Sequence, residues 1–310
     1  NLTDLCNSRC QYCEIWKIKP VNEINLNDIK NFFKDINKNI YWLALSGGEV
    51  TLVNYYYELV DEAVKTCKNL KIFAFTTNAL APEKTLAYAK YAKDKGLDVL
   101  ITISLDGDKE THDKLRGIPG NYDKCHKTYD LLKKEGIKCY FGITLSEQNQ
   151  TFVERKYLEV RDKLKAVTFV HGEGIYNVDK KVSDEAIISS LKIIYKNYIV
   201  TNMAEIVEKI HIKISQLFLK ESRKKNIIPC EVLNASVHIM PSGEVKPCMF
   251  MDPIGNIREQ NFSSIMSSEK AKLSKDIVKK NNCPKCWLNC YSPHSIMQHP
   301  IKSIFSLLLK

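Results

Sequence analysis

Three cysteines near the start of the chain have a spacing that suits metal chemistry. Cys6, Cys10 and Cys13 place three thiols within eight residues, and soft thiolate ligands select zinc, copper(I) or iron–sulfur clusters. No histidine precedes His112 and no fourth cysteine lies close by, so a local four-ligand zinc site is excluded. Three protein ligands on a 4Fe–4S cluster would leave one iron open to a substrate or cofactor. Zinc completed by a remote ligand, or thiols without a metal, is the alternative.

Five further cysteines in the last third of the chain predict a second metal site. They are Cys230, Cys248, Cys283, Cys286 and Cys290. A turn at 241–243 separates two short strand-like segments and predicts a hairpin that brings Cys230 and Cys248 together. A zinc ribbon is the competing interpretation of this group. Cys67, Cys125 and Cys139 fall in predicted helices and a strand, where a free thiol behaves as a small buried apolar group.

The composition is that of an ordinary globular protein. The 310 residues include 46 Lys and Arg against 36 Asp and Glu, a formal net charge of +10, with 44% hydrophobic residues. The basic residues are spread along the chain, so nucleic-acid binding is not expected, and no run approaches the ~18 apolar residues of a membrane span. Clustered cysteines without an export signal indicate a reducing, cytoplasmic compartment. Because position 1 is Asn, we expect that the natural N-terminus was removed or lies upstream.

Strand-like and helix-like segments alternate from residue 26 to about 170. Predicted strands cover 41–45, 71–77, 99–104, 137–145 and 166–171, and predicted helices cover 55–70, 83–95, 122–134 and 151–164. With a strand ending near Leu5, they make six βα units and predict a parallel sheet. Six units are too few for a closed eight-stranded barrel. The predicted fold class is α/β, a partial (β/α)6 TIM barrel with a small cysteine-rich C-terminal domain.

Glycine-containing and polar motifs follow the predicted strands. Gly47, Gly48 and Glu49 follow the strand at 41–45, and similar motifs lie at 76–78 and 104–107. Chemistry in parallel α/β folds is located at the carboxyl ends of the strands. Two glycines let a backbone approach a ligand closely, and the Glu49 carboxylate can accept hydrogen bonds from an ammonium group. An ordinary strand–helix turn is the alternative.

With these motifs in this order, the chain resembles the radical S-adenosylmethionine (radical SAM) superfamily. The resemblance rests on the Cys6–Cys10–Cys13 spacing with Tyr12 before the last cysteine, and on the motifs at 46–49, 76–78 and 104–107. It implies a 4Fe–4S cluster on the three cysteines and SAM bound at the open iron.

The resemblance also implies roles for individual residues around SAM. The Gly47–Gly48–Glu49 motif would bind the SAM amino group, and Asn78 would face SAM. Ser104 and Arg116 match a pair aimed at the SAM carboxylate, which suits an arginine fork. Thr144, with Ser146, would contact the adenosine. Asp106 would bind SAM or form the Asp–Gly turn, and Arg116 has the alternative of an ordinary surface residue.

The second cysteine group resembles the C-terminal extension of SPASM and Twitch radical SAM enzymes. The first half of that extension is a cysteine followed by 9–15 residues, a glycine, four more residues and a second cysteine. Two auxiliary cubanes would need about eight thiolates, and five are present. The resemblance therefore implies one auxiliary 4Fe–4S cluster, the Twitch form. The predicted ligands are Cys230, Cys248, Cys283 and Cys286, with Cys290 spare.

The predicted organisation has four parts. The radical SAM barrel covers 1–180, a helical connector 181–225, the auxiliary cluster domain 226–295 and a C-terminal tail 296–310. The apolar tail is expected to dock on the protein, with a membrane-surface anchor as the alternative. His171, Gly172 and Glu173, at the end of the last predicted strand, are expected on the substrate side.

The function implied by the resemblance is reductive cleavage of SAM to a 5′-deoxyadenosyl radical, which abstracts hydrogen from a substrate. A peptide or protein substrate is favoured. The alternatives are oxidation of a small molecule such as an aminosugar, lipid or cofactor biosynthesis and, more remotely, a zinc protein that binds nucleic acid. A flavodoxin or ferredoxin is the expected electron donor, and the auxiliary cluster would accept an electron or position the substrate.

Overall fold

Five parallel strands form the larger of two sheets. The structure, a computed structural model, describes residues 1–171, 183–224 and 226–308. The strands pair in chain order: β1 (Trp42–Leu45), β2 (Ile72–Thr77), β3 (Asp98–Ser104), β4 (Lys138–Leu145) and β5 (Leu164–Phe169). The helices around them are α1 (Leu26–Ile36), α2 (Tyr56–Thr66), α3 (Pro82–Asp94), α4 (Lys109–Arg116), α5 (Asn121–Lys134) and α6 (Gln150–Val160). This architecture confirms the predicted fold class.

The two faces of this sheet differ in the size of their side chains. Ile101, Ile103 and Phe141 face the helices and are fully buried, because successive residues of a strand point to opposite faces. On the other face, Ser104 pairs in register with Gly142, and both are only half-buried. The Thr102 side chain packs against Gly142 on this face, since a Cβ on Gly142 would lie 2.7 Å from Thr102 Cγ2.

The strand predicted to end near Leu5 is not a strand in the described residues. Leu2 N–H donates to the Ser46 carbonyl (2.9 Å), and the Gly48 and Glu49 N–H groups donate to the carbonyls of Thr3 (2.6 Å) and Leu5 (2.8 Å). These bonds join the segment to the loop after β1, beyond the end of the strand, so no ladder continues from it. Within the described ranges, the sheet therefore has five strands, one fewer than predicted.

A long helix protects the open edge of β5. Helix α7 (Asp184–Asn197) is followed by α8 (Met203–Lys220). The N–H of Val167 in β5 donates to Glu208 of α8 (2.8 Å), and its carbonyl accepts from His211 Nε2 (3.0 Å). Two side chains thus satisfy the backbone groups that an edge strand would otherwise leave unpaired.

The C-terminal region forms a second, smaller module. Its elements are the antiparallel strands β6 (His238–Ile239), β7 (Glu244–Lys246) and β8 (Gly255–Asn256), and the helices α9 (Phe262–Ser267), α10 (Glu269–Lys279), α11 (Ser292–Gln298) and α12 (Pro300–Ser306). Arg258 pairs with Asp28 of α1 (2.9 Å), and this ion pair fixes the module to the barrel.

One segment of this module crosses the gap between the two edge strands. Asn289 Nδ2 donates to the Val167 carbonyl of β5 (3.4 Å), and the His294 ring lies 6.0 Å from the Trp42 ring of β1. The C-terminal module therefore closes the open side of the partial barrel.

The tail docks on the protein by its polar side. Ser303 and Ser306 of α12 are 1% exposed, whereas Ile304 and Phe305 are more than half exposed. The Ser303 hydroxyl donates to the Ile296 carbonyl of α11 (3.1 Å), and the Ser306 hydroxyl donates to the Ser303 carbonyl within α12 (2.6 Å). Among the described residues, no helix has the length and apolar character needed to cross a bilayer.

Candidate functional site

The loop with the first three cysteines is held on one side by α4. The Arg9 N–H donates to the Arg116 carbonyl (3.0 Å), and the Gln11 N–H donates to the Leu115 carbonyl (2.9 Å). Gly117 has a φ of +66°, and a Cβ there would lie 2.7 Å from the Arg9 carbonyl oxygen. Only glycine fits such a close approach with a positive φ, so the loop and the end of α4 form one rigid unit.

Gly47 and Gly48 hold the other side of this loop. Gly47 has a φ of +129°, and a Cβ on either glycine would overlap a carbonyl oxygen of the segment from Thr3 to Leu5. The space beside both glycines is therefore filled by the protein's own backbone. In the structure, the glycines position the cysteine loop, a role that sequence analysis did not identify.

The Glu49 carboxylate is buried among hydrogen-bond donors. Its Oε1 accepts from Thr51 N (3.1 Å), Thr51 Oγ1 (2.8 Å) and Thr77 Oγ1 (2.9 Å), and its Oε2 accepts from Asn78 N (2.8 Å). Burial raises the pKa of Glu49, against the lowering effect of these hydrogen bonds. Oε2 has the greater remaining capacity to accept a donor from a ligand.

Asn78 links β2 to the cysteine loop. Its Nδ2 donates to Asn7 Oδ1 (2.8 Å) and lies 4.0 Å from the Cys6 sulfur. Its carbonyl accepts from Asn121 Nδ2 (2.8 Å). The structure therefore brings the motif at 76–78 next to Cys6, the first cysteine of the loop.

Asp106 connects four parts of the site. Its Oδ2 accepts from Tyr12 and from Arg116 Nε (2.6 Å), and its Oδ1 accepts from Thr144 N (2.9 Å). Its own N–H donates to His112 Nδ1 (3.0 Å), and burial lowers the pKa of His112 to about 4. His112 is therefore neutral at pH 7 and orients the turn that carries Asp106.

Ser104 and Thr144 lie at the ends of β3 and β4, on the face opposite the helices, and both are half-buried. Asn149, which sequence analysis missed, bonds the carbonyls of Asp106 (3.0 Å) and Thr144 (2.9 Å). No local pattern marks Asn149, because its partners belong to other segments.

The three N-terminal thiols are free and partly or fully buried. Cys10 and Cys13 pack with Tyr12, Leu115 and Val170. Burial raises the pKa of Cys6, and raises the pKa of Cys13 to about 12. Metal binding replaces such thiol protons. Among the described residues, three thiols on one rigid loop without a fourth nearby ligand fit a 4Fe–4S cluster that keeps one iron open.

Four of the C-terminal cysteines share one environment. Cys230, Cys248, Cys283 and Cys286 belong to the same cluster of apolar side chains. Burial, together with electrostatic repulsion from Cys248 and Cys283, raises the pKa of Cys230 to about 11. Cys290 is exposed and outside this group. The predicted ligands are therefore neighbours, and the predicted spare thiol is apart from them.

Within the described residues, these thiols do not meet around a single ion position. A small crevice lies beside Cys230 and Cys286. In the described parts of the chain, no three or more His, Cys, Asp or Glu side chains form a group that could hold one metal ion. A cubane is held at four separate irons, so its thiolates need not meet at one point.

His171 lies between the two cysteine groups. It follows Val170, which packs against Cys10, and its ring lies 5.9 Å from Phe250 of the C-terminal module. Its Nε2 is buried without a hydrogen-bond partner in the described structure, and burial lowers its pKa to about 3. Gly172 and Glu173 lie outside the described residues.

Comparison with known proteins agrees with this geometry. The family model "Radical SAM superfamily" matches residues 1–154, and the SPASM model, "Iron-sulfur cluster-binding domain", matches residues 230–291. The solved structure "Native anSMEcpe with bound AdoMet" is 18% identical with a TM-score of 0.67, covering 99% of this chain and 95% of that one. At this identity the likeness shows the fold.

Three curated relatives span different shares of the chain. The sporulation killing factor maturation protein SkfB of Bacillus subtilis is 26% identical over 92% of this chain and 67% of its own length. The cysteine-type anaerobic sulfatase-maturating enzyme of Clostridium novyi is 24% identical over 92% and 84%. Fe-coproporphyrin III synthase of Methanosarcina barkeri is 28% identical over 60% and 47%, so this chain spans about half of that relative's length.

The first family match includes Cys6, Cys10 and Cys13, and the second includes the four C-terminal cysteines that share one environment, together with Cys290. The chain therefore belongs to the radical SAM superfamily and is a radical SAM enzyme with a C-terminal SPASM iron–sulfur cluster domain.

Proposed function

We propose that this enzyme modifies a peptide or protein by radical chemistry, with its radical cluster on Cys6, Cys10 and Cys13. When bound, the cluster and SAM supply a 5′-deoxyadenosyl radical that abstracts hydrogen from the substrate. The observation that carries the proposal is the rigid three-cysteine loop, fixed between Gly48 and α4. The protein orients the reactants and excludes water from them.

The surrounding residues have distinct tasks in this proposal. Glu49 Oε2 accepts from the SAM amino group, because it has spare acceptor capacity inside a buried network. Asn78 orients the loop beside Cys6. Ser104 and Thr144 contact SAM from the ends of β3 and β4, and Gly47 and Gly48 let the loop approach β1.

We assign one auxiliary 4Fe–4S cluster to Cys230, Cys248, Cys283 and Cys286. The support is their shared apolar environment and the separate, exposed position of Cys290. A cluster ligated by four thiolates has no open iron for SAM, so it would transfer an electron or shape the substrate site. The ring of its neighbour Phe250 lies 5.9 Å from the His171 ring, which supports a position of the module on the substrate side of the barrel.

A peptide substrate is supported by the relatives that match along most of the chain. SkfB and the sulfatase-maturating enzyme, each named for maturation of another polypeptide, match 92% of it. The synthase related to haem chemistry matches 60%. We further propose a flavodoxin or ferredoxin as electron donor and a cytoplasmic location, where thiols stay reduced.

The test is anaerobic reconstitution with iron and sulfide, followed by reduction in the presence of SAM. The parent protein should form 5′-deoxyadenosine and, with its peptide substrate, change the peptide's mass. Cys10→Ala should abolish SAM cleavage. Cys139→Ala, which removes a thiol from the opposite side of the sheet, should retain it. Cleavage by the Cys10 variant would exclude this loop as the radical site, and a peptide that never changes would exclude the substrate class tried.

A further inference from the structure

Arg116 contacts a cysteine that lies 106 positions earlier in the chain. Its Nη1 is 3.7 Å from the Cys10 sulfur, and its Nε donates to Asp106 Oδ2 at 2.6 Å. Arg116 is 8% exposed and Asp106 is fully buried. The guanidinium is therefore fixed by a buried carboxylate and directed at a thiol of the radical site.

The surroundings keep this arginine charged and in place. Burial lowers the pKa of Arg116, but Asp106 and Tyr12 raise it, and the net result is a pKa well above its ordinary value. The Tyr12 hydroxyl bonds the same carboxylate oxygen, and the guanidinium lies 5.7 Å from the centre of the Tyr12 ring. With Nε on Asp106 and Nη1 beside Cys10, two of the three guanidinium nitrogens face protein atoms.

We infer that Arg116 is a positioning residue of the radical cluster that donates to the Cys10 sulfur and raises the cluster's reduction potential, with Asp106 fixing its orientation. The inference rests on the proposed placement of that cluster on Cys6, Cys10 and Cys13. It gives Arg116 a different task from the binding of SAM that the family resemblance implies.

The physical reason is electrostatic. Hydrogen bonds to cluster sulfurs and the local charge set the potentials of iron–sulfur clusters. Reduction adds one negative charge, and a buried cation beside a ligand sulfur stabilises that charge more than the oxidised state. Asp106 opposes this effect partly, because its negative charge lies next to the cation. Removal of the arginine and removal of the carboxylate should therefore change the potential in opposite directions.

The experiment is a redox titration of the reconstituted protein with dithionite, followed by electron paramagnetic resonance. The radical cluster is identified as the signal that changes when SAM is added. Arg116→Gln should make reduction at least tenfold less favourable, which is about 59 mV for one electron. Arg116→Lys keeps the positive charge and disturbs folding less, and it should lower the reduction potential by a smaller amount. Asp106→Asn should raise the potential.

Two controls make the outcome decisive. The exposed Arg155 replaced by Gln should leave the potential unchanged. SAM dissociation constants of the Arg116 variants should stay within threefold of the parent. Unchanged potentials in both Arg116 variants would overturn the inference. If those variants also lost SAM affinity tenfold, the result would instead assign Arg116 to binding of the SAM carboxylate. Failure of the proposed function is different, because the parent protein would then show no SAM-responsive cluster.

Discussion

Gly48 lies directly against the Leu5 carbonyl, so that a Cβ on Gly48 would overlap the oxygen. The next N–H along the chain, that of Glu49, donates to the same carbonyl at 2.8 Å. The glycine pair thus binds the protein's own backbone one residue before Cys6. The cysteine loop owes its position to this contact and to its second contact with α4.

Gly48→Ala should therefore displace the cysteine loop. A methyl group with no space costs about 1–3 kcal/mol in the free energy of unfolding, and we expect reduced iron binding as well. Thermal unfolding and iron analysis measure the two effects. Gly96→Ala is the matched control. An alanine would be strained at the Gly96 φ of +87°, but no atom lies within 4 Å of the added Cβ. It should lose stability and keep its iron. Full iron in the Gly48 variant would contradict the positioning role.

Glu49→Ala should weaken SAM binding at least tenfold while leaving the iron content intact. It also removes the acceptor of Thr51 and Asn78 N–H groups, which should lower stability by about 1–3 kcal/mol. Isothermal titration with SAM measures the first effect. Glu62→Ala, a largely buried glutamate of α2 that accepts from Thr66, is the control for stability alone. An unchanged SAM dissociation constant would remove Glu49 from the SAM site.

Replacing both Cys248 and Cys283 by Ala should halve the iron, from roughly eight to roughly four per chain on a count of four per cubane. SAM cleavage without substrate should continue, and substrate conversion should be lost. Cys290→Ala should keep all iron because its thiol is outside the group. Circular dichroism must show a folded double variant, since metal binding contributes folding energy. Normal substrate conversion by the double variant would show that the auxiliary site has no part in turnover.

Glu208 should make stability depend on pH. Burial raises its pKa from the ordinary 4.5 to about 8, so the folded protein retains a proton that the unfolded chain releases. The stabilising contribution of this bound proton is fully present below about pH 4.5. As the pH rises to about 8 it is lost, and the free energy of unfolding falls by up to about 1.4 kcal/mol per pH unit.

Denaturant unfolding of the parent and Glu208→Gln at pH 6.5 to 8 isolates this effect. Above pH 6.5, buried histidines such as His211, whose pKa burial lowers to about 4, are neutral in the folded protein and mostly neutral when unfolded. The stability of the parent relative to the variant should fall across this window. A constant difference would show that Glu208 is ionised in the folded protein.

Local sequence determined the strands and the two cysteine groups. The predicted strands at 71–77 and 137–145 differ by one residue at one end from Ile72–Thr77 and Lys138–Leu145, because a short run of apolar, aromatic and β-branched residues is a property of the segment itself. The thiol spacings are equally local, and they identified the family and the chemistry it implies.

Tertiary structure decided which groups meet across the chain. Helix α4 was not predicted, since only one of its eight residues, Leu115, is apolar. That helix carries Arg116 to Cys10, and the fold similarly places Asn289 of the C-terminal module against Val167 of β5. The residue types at these positions fit many surroundings, and only the packing of distant segments selects one. For the same reason the glycines at 47 and 48 could be recognised as sites of close approach, while the Thr3–Leu5 backbone that approaches them was visible only in the folded chain.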